Sequence, residues 1–240
     1  TAAEAGGRFL GISNPTLDLP WSAQEVKTIR SVFSTGQSVV LEGADAVPET
    51  VVREAGSADY VHFACHARFD LAEPYRSYLS LAAPGTRNGE TVAGSDAPDV
   101  RDAPVECKTA AGRTTRLIRH TVRSTPFYLA DIFTRVRLGS HPLVVLSCCE
   151  SSLSASPETA DEFIGFAAGF LGSGARAVLS AHWLVDDRAS SVLMERFYRN
   201  IVERAMDIPD ALSDAQHYLR GIPEFSEPFF WGAFRIHGAV

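Results

Sequence analysis

Short apolar stretches alternate along the chain with longer segments whose apolar residues recur at helical spacing. Stretches such as 59–67 and 142–148 are apolar on both faces, which is typical of strands buried inside a parallel sheet. The predicted strands are 8–13, 38–43, 59–67, 77–83, 142–148, 175–183 and 229–238, and the predicted helices are 20–33, 47–56, 127–133, 161–174, 187–203 and 207–220. The alternation predicts an α/β protein with a mostly parallel central sheet and helices on both faces.

Local signals refine two of these elements. Ser22 precedes the apolar face of the first helix, and Glu25 follows three residues later, which together predict a capping box. Residues 77–83 alternate between apolar and polar side chains, which predicts a strand with one exposed face.

Residues 84 to about 126 interrupt the alternation. The first part has the composition of a loop, and 105–122 predicts a hairpin that turns at Ala110–Gly112. A segment of more than 40 residues without a core pattern is unusual inside a compact domain and is often functional. We expect one domain over residues 1–240, with an insertion at about 84–126.

Charge and cysteine content narrow the class of protein. The 240 residues carry a formal net charge of −7, which argues against general nucleic-acid binding. The basic stretch 112–123 is a local exception, which we interpret as a solvated hairpin; a docking arm or a nucleic-acid contact is the alternative. Four cysteines are too few for a disulfide framework, and free thiols favour a cytoplasmic location.

Targeting signals are absent from the sequence as given. No apolar run reaches the length of a membrane span, and the first residues lack the features of a secretory signal. The chain does not begin with Met, so we expect it to be trimmed or cut from something longer; the sequence leaves open whether it is a whole protein or the C-terminal part of one.

Two reactive side chains follow predicted parallel strands. His66 lies at the end of 59–67, and Cys149 lies just beyond 142–148. Carboxyl ends of parallel strands share one edge of a sheet, so an imidazole and a thiol would meet there as base and nucleophile. The N–H groups of Ala67 and Cys149 are candidate donors to an oxyanion. The strand parity places Cys148 in the core, and the competing interpretation makes all of these residues ordinary core residues.

Several motifs resemble one family in order and spacing. The matching segments are FLGISNPTLDLPWSAQEVKTI, DYVHFACHARFD, SYLSLA, LADIF, LVVLSCCES, DEFIGFAAGFLGSGARAVLSAHWLVDD, LMERFYRNI, DALSDAQHYLR and FFWGAFRIHG. Together they resemble a CHAT domain, a caspase-like peptidase family named for its association with tetratricopeptide repeats. The resemblance covers nearly the whole chain apart from the insertion, and it implies a caspase-like three-layer fold.

The resemblance also assigns roles to single residues. It places the family histidine on His66 and the family cysteine on Cys149. Ala67 stands where the family usually has Gly, so the oxyanion-hole backbone must adopt a conformation that a Cβ permits. Cys148 stands where the family usually has Ala.

A specificity pocket is predicted in the segment AHWLVDD (181–187). By resemblance to separase-like peptidases, Trp183 would form a wall, and Asp186 or Asp187 would receive a basic P1 side chain. The alternative is that Asp187 caps a helix that begins at residue 188.

Metal and cofactor sites are not predicted. His62 and His66 are four residues apart on a strand, which separates them by about 13 Å, too far to chelate one ion. We interpret His62 as a core histidine, and the peptidase chemistry requires no cofactor.

The resulting expectation is a cysteine endopeptidase that cleaves one or few protein substrates. The resemblance implies a bacterial regulatory or antiphage-defence protease, gated by a tetratricopeptide-repeat or sensor domain, with a gasdermin or another defence effector as substrate. The alternative is a caspase-fold interaction module with little or no proteolysis.

Overall fold

The computed structural model describes residues 7–33, 36–70, 72–87, 106–108, 114–116, 123–148, 162–183 and 185–238. In chain order the strands are β1 (Phe9–Ser13), β2 (Ser38–Glu42), β3 (Tyr60–Ala64), β4 (Ala67–Arg68), β5 (Tyr78–Ala82), β6 (Glu106–Lys108), β7 (Thr114–Arg116), β8 (Ser124–Tyr128), β9 (Leu143–Leu146), β10 (Ala177–Ala181) and β11 (Phe234–Gly238). The helices are α1 (Pro20–Val32), α2 (Pro48–Ala55), α3 (Leu129–Arg135), α4 (Glu162–Gly172), α5 (Asp187–Val202), α6 (Ile208–Arg220) and α7 (Pro228–Trp231), and short 3₁₀ helices lie at Gly43–Asp45, Pro74–Arg76 and Pro223–Phe225.

The central sheet has six strands in the order β11-β10-β9-β3-β1-β2. The pairs from β10 to β2 are parallel, and β11 runs antiparallel to β10 at one edge. Because the strands are buried on both faces, they consist of near-continuous apolar residues. The predicted fold class is therefore confirmed.

Helices cover both faces of this sheet, and each face has its own core. Alternate side chains of a strand point to opposite faces, so Leu10 joins one core and Phe9 the other. The first core contains side chains from α2, α3 and α4, among them Val51, Ile132 and Phe170. The second contains side chains from α1, α5 and α6, among them Val26, Leu193 and Ala215. Among the described helices, none is both long enough and apolar enough to cross a membrane.

A second sheet, β4-β5-β8, is antiparallel and lies beside the end of β3. The prediction that 77–83 has an exposed face was wrong, since Leu79, Leu81 and Ala82 are fully buried and Ser80 is nearly so. Strand β5 is the central strand of this sheet, between β4 and β8, and its Leu79 and Leu81 side chains pack into the first core. Strands β6 and β7 pair antiparallel, which confirms a hairpin within 105–122. Its predicted turn at 110–112 lies outside the described residues.

The predicted capping box at the start of the first helix was wrong. Helix α1 begins at Pro20, and Leu19 at its N-cap makes no side-chain cap. The Ser22 hydroxyl instead donates to the Ala64 carbonyl oxygen over 2.7 Å, and Glu25 is buried. Both side chains face the sheet because α1 packs against the ends of β1 and β3.

Two further boundaries differ from the prediction. The segment 229–238 is a strand only from Phe234, since Pro228–Trp231 forms the short helix α7. Strand β8 extends to Tyr128, and α3 follows from Leu129. The Tyr128 amide donates to the Asp131 carboxylate over 3.1 Å, which fixes the start of α3.

Gly11 in β1 is the position where we expect a single methyl group to weaken the fold. A Cβ there would lie 2.5 Å from Val26 Cγ1, and Val26 is fully buried. Gly11→Ala should lower the free energy of unfolding by about 1–3 kcal/mol, as overpacking in a core does. Gly56→Ala is the matched control, because its closest contact is 3.4 Å and its backbone is helical. Equal stability of the two variants in urea unfolding would contradict this expectation.

Candidate active site

Asp18 and His66 meet at the carboxyl edge of the central sheet. The His66 Nε2 atom lies 3.1 Å from both carboxylate oxygens of Asp18. Both side chains are largely buried, with 9% and 6% of their surfaces exposed for His66 and Asp18 respectively. The carboxylate therefore fixes the orientation of the imidazole in a site with little competing water.

The loop between β1 and α1 presents Asp18. Asn14 and Leu17 adopt positive φ angles of 43° and 58°, and the Leu19 amide donates to Asn14 Oδ1 over 2.9 Å. The Thr16 hydroxyl donates to Asp18 Oδ1. Residues that visit the left-handed region persist only where their surroundings fix them, so this loop is held in one shape.

The second sheet fixes the backbone that carries His66. The Ser80 amide donates to the His66 carbonyl oxygen over 2.9 Å, and Ala67 pairs with Leu79. In an antiparallel ladder, hydrogen-bonded and non-hydrogen-bonded pairs alternate, so the Ala67 N–H points away from β5. This direction is required of a donor to an oxyanion next to His66.

Strand β9, which precedes the predicted nucleophile in the sequence, ends at the same edge. It pairs in parallel with β3, with Phe63 opposite Leu146, and the Ser147 amide donates to the Phe63 carbonyl oxygen over 2.9 Å. Cys148 is 1% exposed and belongs to the same core cluster as Leu146, which confirms it as a core thiol. Cys149 follows directly and lies outside the described residues.

The Cys148 thiol lies close to the Cys65 thiol. Its Sγ lies 3.8 Å from Cys65 Sγ and 3.6 Å from the Phe63 carbonyl oxygen. The hydrogen bond with Cys65, followed by burial, raises the pKa of Cys148 well above its usual value. Cys148 therefore stays protonated at neutral pH.

His62 is a buried histidine with a partner at each ring nitrogen. Nε2 lies 2.8 Å from Glu25 Oε1, and Nδ1 lies 3.3 Å from the Tyr198 hydroxyl oxygen. Burial raises the pKa of Tyr198 well above its usual value, so its hydroxyl remains a neutral donor. These partners match a His62 tautomer that donates from Nε2 and accepts at Nδ1. The interpretation of His62 as a satisfied core histidine is confirmed.

A small cavity of about 20 Å³ lies between the ends of β3 and β9 and the first turns of α1 and α5. Cys65 and Ser147 contribute from the strand ends, while Glu25, Asp187 and Ser190 contribute from the helices. The Ser190 hydroxyl is buried and has no hydrogen-bond partner among the described atoms. The carboxylate residues Glu25 and Asp187 thus line the same cavity as Cys65, the residue that precedes His66.

The predicted specificity residues occupy different environments. Asp186, not Asp187, is the N-cap of α5, because its Oδ1 accepts from the Ala189 amide over 2.9 Å. The alternative prediction of a cap at Asp187 was therefore wrong, and Asp187 lines the cavity instead. Trp183 is 41% exposed, and its Nε1 donates to the Phe229 carbonyl oxygen over 3.0 Å.

Sequence reasoning missed Asp18 and the position of Glu25. The rule that selected His66 also applies to β1, whose carboxyl end leads into the loop that carries Asp18. That signal was available in the sequence. The sequence predicted Glu25 as a helix-capping residue, and only the structure shows that its carboxylate contacts His62 instead. In the described part of the chain, no three His, Cys, Asp or Glu side chains are grouped as a metal ion would need.

A parallel sheet covered on both faces, with a carboxylate-supported histidine at its carboxyl edge, defines a caspase-like cysteine-peptidase fold. The chain belongs to the CHAT domain family, whose model matches residues 2–239. The prediction of this family is confirmed.

Relatives and solved structures agree with this assignment. The chain is 29% identical over 210 residues to tetratricopeptide repeat protein 28 of Mus musculus and 27% identical over 212 residues to that of Homo sapiens. Each match covers 83% of this chain but only 8% of the relative. Its fold is similar to that of the Arg specific cysteine proteinase gingipain R, with a TM-score of 0.52, 8% identity, and coverage of 98% of this chain and 47% of the other.

Proposed function

We propose that this protein is a cysteine endopeptidase in which Cys149 is the nucleophile and His66 the general base. The observation that carries the proposal is His66, held by Asp18 at the sheet edge where β9 ends, three residues before Cys149 in the sequence. An imidazole fixed by a carboxylate beside a strand-end thiol is the arrangement that thiol nucleophiles use. We take residues 1–240 as one peptidase domain.

The chemistry follows from this arrangement. Because His66 Nε2 faces Asp18, we assign proton exchange with the Cys149 thiol to Nδ1. The thiolate attacks the scissile carbonyl carbon, and the amide N–H groups of Ala67 and Cys149 stabilise the oxyanion. Protonated His66 donates to the leaving amine, and water then hydrolyses the thioester.

A peptidyl electrophile and a cleavage map together test the proposal. A peptidyl acyloxymethyl ketone should alkylate Cys149, identified by peptide mass spectrometry, in preference to Cys65, Cys107 and Cys148. Incubation with a denatured proteome should produce cuts that this reagent prevents. If Cys149 stays unlabelled and no inhibitable cuts appear, with or without candidate activators, the interaction-module alternative replaces the peptidase.

We further propose that substrates carry a basic P1 residue received by Asp187, with Trp183 forming a wall. Asp187 is the first residue of α5, follows the carboxyl end of β10 and is partly exposed, so it supplies negative charge at this edge of the sheet. The relation to a proteinase described as Arg specific is consistent with this preference. Asp186, the remaining predicted candidate, already accepts the helix-cap hydrogen bond.

Asp187→Asn should lower kcat/KM for peptides with Arg at P1 by about 10- to 100-fold, because asparagine keeps an acceptor oxygen but removes the negative charge that pairs with the guanidinium. Cleavage of the matched Leu peptides should change little. Asp186→Asn is the control, since asparagine caps a helix as well as aspartate does. Equal losses for Arg and Leu peptides would show that Asp187 acts on the fold and not on specificity.

We also propose a regulator and a substrate class for the peptidase. Its curated relatives are tetratricopeptide repeat proteins of which this chain spans only 8%, which supports gating by a repeat or sensor domain. A cytoplasmic, bacterial, antiphage role with a gasdermin or another defence effector as substrate rests on the family resemblance alone. Co-expression of the chain with candidate effectors, followed by cleavage mapping, tests it.

A further inference from the structure

Cys65 and Cys148 form a buried thiol pair directly before the two proposed catalytic residues. Phe63 pairs with Leu146 across β3 and β9, so Cys65 and Cys148 each follow their strand's last registered pair by two residues. Their Sγ atoms are 3.8 Å apart, and each residue is 1% exposed. The proposed mechanism uses neither thiol.

The spacing of the two strands suits a covalent bridge. Neighbouring strands lie about 4.8 Å apart, which falls inside the Cα separation of about 4.4–6.8 Å that disulfides accept. The sulfur atoms would need to approach by less than about 2 Å to reach the S–S bond length of about 2.05 Å. Small adjustments of the χ1 angles, together with a shift of the two backbones toward each other, supply a movement of this size.

The small cavity at the strand ends reaches one member of the pair. Cys65 lines it together with Glu25 and Ser147, and Cys148 packs against Cys65 in the same core cluster. A cavity of about 20 Å³ holds roughly one water molecule, so only a small reagent can reach the Cys65 sulfur. Hydrogen peroxide is a small, uncharged reagent of this kind.

We propose that Cys65 and Cys148 are a peroxide-oxidisable pair that closes into a disulfide beneath the active site. The Cys65 sulfur, after losing its proton, attacks one peroxide oxygen; the O–O bond breaks, and the other oxygen leaves as water after taking up a proton. The Cys148 thiol then displaces the hydroxyl of the Cys65 sulfenic acid, which leaves as water with the thiol proton. The two sulfurs lose two electrons, and the peroxide gains them.

The order of the two steps follows from the surroundings of each thiol. The hydrogen bond with Cys65, followed by burial, raises the pKa of Cys148, which keeps it protonated and slow to attack a peroxide. Cys65 lines the cavity, whereas Cys148 is not among the residues that line it. Cys65 is therefore the attacking thiol, and Cys148 is the resolving thiol.

Closure of the bridge would act on the active site, an inference that rests on the proposed function. His66 follows Cys65, and Cys149 follows Cys148, so drawing the sulfurs together displaces the backbone of both catalytic residues. A misplacement of about 1 Å can cost about 100-fold in rate. Oxidation would thus lower cleavage reversibly, and a thiol reductant would restore it.

Peptide mapping tests the bridge without relying on proteolytic activity. The native protein is treated with hydrogen peroxide, its remaining thiols are alkylated under denaturing conditions, and non-reduced peptides are analysed by mass spectrometry. We expect a Cys65–Cys148 linked peptide, two hydrogen atoms lighter than the reduced pair, in the wild type and equally in Cys149→Ala. Both residues remaining alkylated, or a link from either to Cys107 or Cys149, would overturn the proposal.

Trapping the intermediate tests the order of steps. In Cys148→Ala, a cyclic 1,3-diketone should label Cys65 as its sulfenic acid, whereas in Cys65→Ala it should leave Cys148 unlabelled. Labelling of Cys148 in the second variant would overturn the assignment of Cys65 as the attacking thiol. A linked peptide in a protein that cleaves nothing would refute the peptidase and leave the bridge intact.

Discussion

The Cys149→Ala variant is expected to lose cleavage of every substrate that the wild-type protein cuts. Removing a catalytic nucleophile lowers kcat by about 10⁶-fold, which places the residual rate below detection in a proteome cleavage map. His66→Ala should fail to a similar degree, because the two residues act as one unit and their losses do not add. N-terminal peptide mapping of digests measures both losses.

The control for this prediction is Cys107→Ala. Cys107 lies in β6, which pairs with β7 in a sheet separate from the central one, so the cleavage map of Cys107→Ala should match that of the wild type. Circular dichroism must show equal folding of all three variants. Cuts that persist in Cys149→Ala at wild-type rates would exclude Cys149 as the nucleophile.

Asp18→Asn is expected to lower kcat by about 10²- to 10⁴-fold with little change in KM. Asparagine keeps the size of Asp18 and an oxygen for the Thr16 hydroxyl. It removes the charge that faces His66 Nε2, so imidazole orientation and the stabilisation of imidazolium both weaken. Initial-rate kinetics on one cleaved peptide separate kcat from KM.

The matched variant is Asp18→Glu, which retains the carboxylate on a longer side chain. We expect it to recover part of the lost kcat, whereas a merely structural role for Asp18 would make the bulkier glutamate as harmful as asparagine or worse. A fall in thermal stability that tracks the fall in kcat would likewise argue for a structural role.

The sequence was sufficient for the central sheet because the local pattern there is dictated by burial. Parallel strands buried on both faces produce runs such as LVVL in β9, which no other environment in a soluble domain requires. The same logic placed His66 at the sheet edge, since parallel strands end together. The core position of Cys148 followed from side-chain alternation alone.

Features that depend on partners distant in the sequence were not predictable. Glu25 lies 37 positions before His62, and their hydrogen bond exists only once α1 crosses the sheet. Likewise, the polar residues of β5 predicted an exposed face, but β5 is the central strand between β4 and β8, and Ser80 is buried. The spacing of apolar residues predicts which face of a segment is buried, whereas the partners of its polar side chains depend on contacts between segments distant in the sequence.

The pairing of β5 with β8 has a consequence for protein engineering. Ala82 lies opposite Ser124, and the Ala83 amide donates to the Arg123 carbonyl oxygen over 2.8 Å. The two ends of the insertion are therefore held together by backbone hydrogen bonds. Lengthening a loop between fixed ends costs only about 0.6 kcal/mol per doubling. An affinity tag or a fluorescent reporter can therefore be inserted between Ala83 and Arg123 without changing the β4-β5-β8 sheet, which fixes the His66 backbone.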